Sequence, residues 1–564
     1  MTSPQTKISP SVRWSPLQIF HWFMWITGIL YVLWCYFASP ANGRAPEIWP
    51  SAFVKSDYGL QRVQDDTNLS WKYGRSFLLR TWVWCLVQAA VSQALLQGNP
   101  RLRVRFYPFF SALALAWTVC WESVLAVFVV YATFFLLASL RIRIVCYLVS
   151  LLALVYSFFM DKWDPMLLVE KRRGDTEYFL ASITVYWSVL RCLSFSVDFA
   201  TDPKSSKRRF PDFWMSLAYV FYLPSVCLGP LMNYDNFVAQ LEQPPKPWTV
   251  GELVGGLMGL VRSAFHLVLR DLMGHYFYRS LSTVTVHGRF SSQKLRRLGR
   301  RDDSDTRVRS CFLPAFLRPT ARIATVNSMT LWHLSALVWM PRAVSSMDLP
   351  SLVGYGVCLN FMFYVKYLVF YGAPGALSRL DRVRLPPPPT CVAREHLCSH
   401  FWRNFDNGLH LWIRRYLYQP LVGGGRPKLL RCVGTVACFG FVCVWHKMTT
   451  AVQIWCALNA FGISLEIVTT AIRGCQLCQQ MEATYVHGFR LRVLRAVLGS
   501  GLYLLTIFAC LFFLTNMGVA TIFFHKVILG FPLPIVPVLV FLYFASHVSL
   551  DVMDWERVTQ GASH

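Results

Sequence analysis

The sequence predicts an all-α polytopic membrane protein with about 11–13 transmembrane helices plus re-entrant or amphipathic segments. Three observations carry this. Of 564 residues, 55% are hydrophobic and only 15% charged, whereas soluble domains carry about 25% charged residues. Apolar runs long enough to span a bilayer recur along the whole length. The basic residues behind the net charge of +26 sit in short clusters between those runs, the pattern of cytosolic loops. Disorder, collagen and coiled coil are excluded by the aromatic content and the lack of a short repeat. No nucleic-acid-binding module accompanies the positive charge, so nucleic acid is not expected as a partner.

The expected spans, in order, are 17–38, 77–97, 106–140, 144–160, 178–199, 213–232, 251–269, 323–341, 350–372, 430–446, 451–472, 497–516 and 519–548. The first lacks a small-residue cleavage site and reads as a retained signal-anchor. The run 106–140 would reach about 52 Å as one helix against a core of roughly 30 Å. It therefore splits into two helices near Trp121-Glu122-Ser123. The basic clusters Arg101/Arg103/Arg105, Arg141/Arg143, Lys204/Lys207/Arg208/Arg209 and Arg289 to Arg322 lie an even number of crossings apart. The positive-inside rule places them, and the N-terminus, in the cytosol. Residues 39–76, with the sequon Asn68-Leu69-Ser70, then face the lumen. The whole chain, 1–564, reads as one membrane domain, with a basic cytosolic loop at 286–322. That loop is either solvated or drawn to anionic headgroups.

Residues 392–422 place charges among Phe401, Phe405, Leu409, Trp412 and Ile413 at helical spacing. They predict an amphipathic or re-entrant helix ended by Gly423, Gly424 and Gly425. Trp402, Asp406 and His410 share one face, which lines a cavity or forms the wet side of an interfacial helix. Asp406 either acts in chemistry or pairs with Arg403 three residues earlier. His446 ends the apolar run from Val433 to Trp445, and an ionisable group at membrane depth is a functional candidate by default. The seventeen cysteines form no disulfide or zinc framework.

The run Phe401-Trp402-Arg403-Asn404-Phe405-Asp406-Asn407-Gly408-Leu409-His410, with Tyr416, Tyr418, Pro420 and Gly423-Gly424 after it, resembles the signature helix of the membrane-bound O-acyltransferases. Val444-Trp445-His446, forty residues beyond Asp406, resembles that family's histidine segment. Leu458-Asn459 and Gly462 follow it, and Tyr219 to Pro224 with Gly229-Pro230 resembles an earlier element. Within the family the likeness is to the hedgehog acyltransferase group, strong over about residues 185–240 and 350–550. It includes Val189-Leu190-Arg191-Cys192, Arg379-Leu380-Asp381, Cys391-Val392 and Ser546-His547-Val548.

The resemblance implies a fold around a central tunnel, in the endoplasmic reticulum membrane or Golgi. It implies transfer of palmitate from palmitoyl-CoA to the α-amino group of the N-terminal cysteine of a Hedgehog-type secreted protein, forming an amide. It also implies His446 as general base, and Asp406 as its orienter or as partner to the acceptor's amino terminus. Trp402 and Arg403 are expected at the donor, near thioester and CoA phosphate, Asn459 at the oxyanion, and Cys391 as a thiolate ligand of haem b. Acceptors with a serine hydroxyl or a lysophospholipid would suit the same pair, and a non-catalytic regulator or transporter is the rival from another class. The chain departs from the family pattern at Lys447-Met448, where glycines usually follow the histidine. Lys447 either adds a cation beside the imidazole, turns away, or partly closes the site. No Gly-x-Ser-x-Gly elbow is present, which favours direct transfer over an acyl-enzyme.

Overall fold

The computed structural model describes residues 14–40, 53–60, 63–159, 167–203, 208–244, 249–277, 337, 340–391, 395–423 and 428–561. The expected loop at 286–322 and the expected span at 323–341, apart from Leu337 and Met340–Pro341, lie outside them.

Short polar caps set against apolar runs start the helices. Ser15 opens α1 (Pro16–Ala38) with a capping box in which Gln18 answers the Ser15 backbone, and Pro16 takes the first helical position. A two-stranded antiparallel pair, β1 (Phe53–Lys55) and β2 (Val63–Asp65), is the one strand pair among the described residues. Asn68 then caps α2 (Leu69–Gly98), accepting from the Trp71 N–H and the Ser70 hydroxyl. The buried sequon side chain therefore serves the helix start.

The long apolar run does divide, into α3 (Pro100–Thr118) and α4 (Trp121–Ala138), breaking at Val119-Cys120 just before the expected point. Next come α5 (Arg143–Phe159), α6 (Leu167–Arg173) and α7 (Asp175–Thr201). The expected span 213–232 is not one helix. It is α8 (Phe213–Val220), a single 3₁₀ turn at Leu223–Ser225, and a bent, irregular stretch. Pro224 and Gly229-Pro230 are the reason, since proline lacks the N–H a helix interior needs. After α9 (Tyr234–Leu241), α10 (Val250–Tyr276) begins with a Thr249/Glu252 capping box.

The second half holds α11 (Pro341–Ser345), α12 (Leu349–Leu380) and the segment expected to be re-entrant. That segment is α13 (Cys398–Phe405), α14 (Asn407–Ile413), a π turn at Arg414–Tyr418 and α15 (Gln419–Val422), ending at Gly423. Then follow α16 (Lys428–Trp445), α17 (Thr450–Arg473), α18 (Gln476–Tyr485) and α19 (Phe489–Leu514). The last expected span, 519–548, is also broken. A short helix, α20 (Met517–Phe523), widens into a π turn ending at Ile528, and α21 (Ile535–Gly561) starts afresh. Gly530, Pro532 and Pro534 separate them.

Among the described residues eight helices are long and apolar enough to cross a membrane, with three shorter apolar ones beside them. The protein is a multi-pass membrane protein. Helix α12 is the axial element, packed along α10 and α1 and against α2. Two apolar cores flank it. One gathers α2–α9 with Trp412 and Tyr416, and the other gathers α12, α16, α17, α19 and α20. The re-entrant segment lies at the seam between them, because Trp412 packs into the first core while Phe401 and Phe405 pack into the second.

Candidate active site

The site is built on α13 and α14, which turn about Asp406. Aspartate favours the position before a helix, where its oxygen accepts an orphan N–H. Here Asp406 (φ −126°, ψ 79°) closes α13 and caps α14, with Oδ1 accepting from the Leu409 N–H at 3.0 Å. Its other oxygen accepts from the Tyr371 hydroxyl of α12 at 2.6 Å. The segment is thus two helices instead of the single one expected. Gly408 is required just beyond the turn. A Cβ there would stand 2.4 Å from the Leu231 carbonyl oxygen, so α14 could not approach that backbone with any larger residue.

Helix α17 holds α13 along one face at i, i+3 and i+7. The Trp402 indole N–H donates to Asn459 Oδ1 at 2.8 Å, and the Asn459 amide returns a bond to the Trp455 carbonyl at 2.7 Å. At Gly462 a Cβ would lie 2.6 Å from Cys398 Sγ. Glu466 accepts from the Ser399 N–H at 3.3 Å, taking a donor that α13's first turn leaves orphaned. Asn459 therefore fixes the orientation of Trp402, and its carbonyl oxygen is committed to that task. Tyr371 and Glu466 were missed by sequence reasoning. Glu466, an acid inside the apolar run 451–472, carried the signal that an ionisable group at membrane depth has a purpose.

A cavity of about 560 Å³ opens against this construction, lined by Trp402, Arg403, Asp406, His410, Arg414 and Val442 among others. Its volume falls within the roughly 300–1,000 Å³ typical of ligand sites. Arg403 and Arg414 are exposed at its edge, while Asp406, Phe439 and Val442 form buried wall. Ile463 and Ile467 of α17 add apolar surface. The residues expected on one face, Trp402, Asp406 and His410, all line it. Arg403 forms no ion pair with Asp406.

His446 caps the carboxyl end of α16 and is half-buried. Its Nδ1 is fully covered and has no hydrogen-bond partner among the described residues. The ring packs edge-on against Trp455 (5.4 Å between centroids) and Phe513 (5.1 Å). Trp455 in turn meets Trp402 at 5.4 Å. His446 does not line the cavity, and no hydrogen bond or ion pair joins it to Asp406. Trp455 is the ring between the cavity wall at Trp402 and the imidazole. A second run of rings (Tyr371, Tyr367, Phe405, Phe363 and Phe513) links Asp406 to His446, each pair 5.1 to 5.7 Å apart.

The turn after His446 explains why small residues suit it. The Met448 N–H bonds to the Cys443 carbonyl and the Lys447 N–H to the Val444 carbonyl, each at 3.0 Å, which is a Schellman closure. Both residues are left-handed, Lys447 at φ 65° and Met448 at φ 50°. A side chain there costs roughly 1–2 kcal/mol that glycine avoids. Met448→Gly is therefore expected to stabilise the protein by about 1 kcal/mol, read as a raised thermal midpoint in detergent. A lowered midpoint would contradict this account of the turn.

Cys391 is exposed and lines neither this cavity nor the second one described below. A haem bound through a thiolate needs an enclosed pocket around the macrocycle. Among the described residues no cluster of metal-ligating side chains gathers at Cys391, and haem binding there has no structural support.

Residues 312–509, which contain every residue discussed above from Cys391 to Asn459, match the model of the MBOAT, membrane-bound O-acyltransferase family. The chain is 24% identical over 454 residues to the protein-cysteine N-palmitoyltransferase Rasp of Drosophila melanogaster, spanning 80% of this chain and 78% of the relative. It is 26% identical over 507 residues to the protein-cysteine N-palmitoyltransferase HHAT of Mus musculus, spanning 87% and 88%. The membrane-bound O-acyltransferase GUP1 of Millerozyma farinosa is 36% identical over 259 residues, spanning 45% of this chain and 39% of the relative.

Proposed function

We propose that this chain, whose residues 312–509 match the membrane-bound O-acyltransferase family model, transfers palmitate from palmitoyl-CoA to the N-terminal α-amine of a secreted Hedgehog-type protein beginning with cysteine. The observation that carries the reading is similarity, along nearly the whole chain, to two relatives named protein-cysteine N-palmitoyltransferases. The cavity agrees with it chemically. Exposed Arg403 and Arg414 suit the phosphates of CoA, and the apolar wall suits an acyl chain, each buried methylene contributing about 0.8 kcal/mol. We place the enzyme in the endoplasmic reticulum membrane, with the basic loops and the N-terminus cytosolic, so that a cytosolic donor meets a luminal acceptor within the bilayer.

In this mechanism the amine nitrogen attacks the thioester carbonyl. His446 accepts the amine proton as the C–N bond forms, the C–S bond breaks, and the imidazolium returns a proton to the departing CoA sulfur. General base catalysis of this kind contributes about 10²- to 10⁴-fold. Asp406 acts on the acceptor's neutral amino group, which it holds by accepting a hydrogen bond from an N–H. The absence of any bond between Asp406 and His446 supports this role over that of an orienter. Trp402 borders the thioester, fixed there by Asn459.

The test is acceptor chemistry. With palmitoyl-CoA, peptides beginning with cysteine should be acylated, those beginning with serine should react poorly, and N-acetylated cysteine peptides not at all. Equal transfer to the acetylated peptide would exclude amide formation at the α-amine and point to a hydroxyl or thiol acceptor.

A further inference from the structure

A second cavity, about 210 Å³, opens between the amino-terminal end of α19 and the last turns of α21, lined by Gly488, Arg492, Arg495, Met553, Asp554 and Arg557 among others. It shares no lining residue with the first. Three guanidinium groups face one carboxylate here. Arg492 is committed, bonding to Asp551 and, at 3.0 Å, to Asp554. Arg557 lies 3.4 Å from the same Asp554, an exposed pair one helical turn apart. Such a pair is worth little and yields readily to a better anion. Arg495 forms no hydrogen bond or ion pair among the described residues. The nearby carboxylate of Glu482 on α18 is already taken by Arg473 at 2.5 Å. The first-turn N–H groups of the 26-residue α19 open at the same place and add the positive end of its dipole.

The surroundings specify the source of the anion. Both α19 and α21 are among the helices able to span the membrane, so the cavity sits where two spans reach the headgroup layer. Immediately along α19 lie exposed Leu494 and Leu498, and on α21 exposed Trp555 and Val558. A soluble phosphate has no use for that apolar surface. Acyl chains do, and tryptophan favours the interface depth.

We propose that this cavity binds the phosphate-bearing headgroup of an anionic phospholipid, its phosphate on Arg495 and Arg557 and its chains along Leu494 and Leu498. A zwitterionic lipid brings its own cation to a site already rich in cations, and is disfavoured.

Native mass spectrometry of the full-length protein, released from detergent micelles, tests this with three probes: dioleoylphosphatidylglycerol, dioleoylphosphatidylcholine and glycerol 3-phosphate. Phosphatidylglycerol should bind selectively. At roughly 1 kcal/mol per basic residue near the surface, the double variant Arg495→Gln/Arg557→Gln should weaken its binding about 30-fold. A control, Arg101→Gln/Arg105→Gln, changes two basic residues elsewhere and should keep the wild-type affinity. Both altered arginines are exposed, and thermal unfolding in phosphatidylcholine nanodiscs verifies that the fold survives. Undiminished phosphatidylglycerol binding by the double variant overturns the proposal. So does equal binding of phosphatidylcholine, and so does full competition by glycerol 3-phosphate, which would make the site a free-phosphate site.

Discussion

His446→Ala should abolish palmitate transfer and leave the protein folded. The two halves of that expectation have separate causes. The imidazole Nδ1 is covered and makes no hydrogen bond, so its removal leaves no partner unsatisfied and deletes an uncompensated buried polar atom. Against that gain stand two edge-on ring contacts, to Trp455 and Phe513, each worth about 0.5–1.5 kcal/mol. The net change in stability is small. Activity should fall by at least 10²-fold, the lower bound of what a positioned base contributes. His446→Gln, which keeps bulk without basicity, should be as inactive, separating the loss of the base from the loss of packing. Incorporation of labelled palmitate into a cysteine peptide, with thermal midpoints measured in parallel, reads both. A Gln variant with near wild-type turnover would remove His446 from the chemistry.

The second large effect lies at Asp406, where charge and structure can be separated. Asparagine caps helices as well as aspartate does, and its amide can meet the Tyr371 hydroxyl, which is able to accept as well as donate. Asp406→Asn should therefore fold with a thermal midpoint close to wild type and still lose about 10²-fold or more in activity. The loss should show chiefly in KM for the acceptor peptide if the carboxylate holds the amino terminus. Asp406→Ala should be inactive and also destabilised. The lost cap costs about 1 kcal/mol, and the stranded Tyr371 hydroxyl costs about 1–3 kcal/mol more. Full activity in the Asn variant would show that the carboxylate serves only as a cap.

Much of this molecule was legible in its residues. Apolar runs located α1, α4, α7, α10, α12, α17 and α19 to within several residues, because span length is fixed by the bilayer. Hydropathy alone overran at 213–232 and 519–548. Both windows average as apolar, yet Pro224, Gly229-Pro230, Pro532 and Pro534 interrupt the backbone in a way that an average conceals. The spacing of Trp402, Asp406 and His410 put three residues on one face without deciding between a cavity and a wet surface; the fold gives that face to a cavity and breaks the helix at Asp406. That break depends on Tyr371, thirty-five residues away in sequence, taking the second carboxylate oxygen.

Asn459 shows a different limit. Its residue type suited an oxyanion donor, and only the fold reveals that its oxygen holds Trp402 while its amide is turned back to the Trp455 carbonyl. Likewise the left-handed turn at Lys447-Met448 could be suspected from the glycines usual there, but its hydrogen bonds come from α16 itself. The interposition of Trp455 between His446 and the cavity wall at Trp402 was not readable at all, since it arises from packing among three helices.

The most direct measurement is transfer of labelled palmitate from palmitoyl-CoA to a cysteine-initiated peptide by the purified protein, followed by neutral hydroxylamine. The account predicts label that resists hydroxylamine, as an amide does, and that is lost in His446→Gln. Label released as a thioester, or retained in full by that variant, would contradict it.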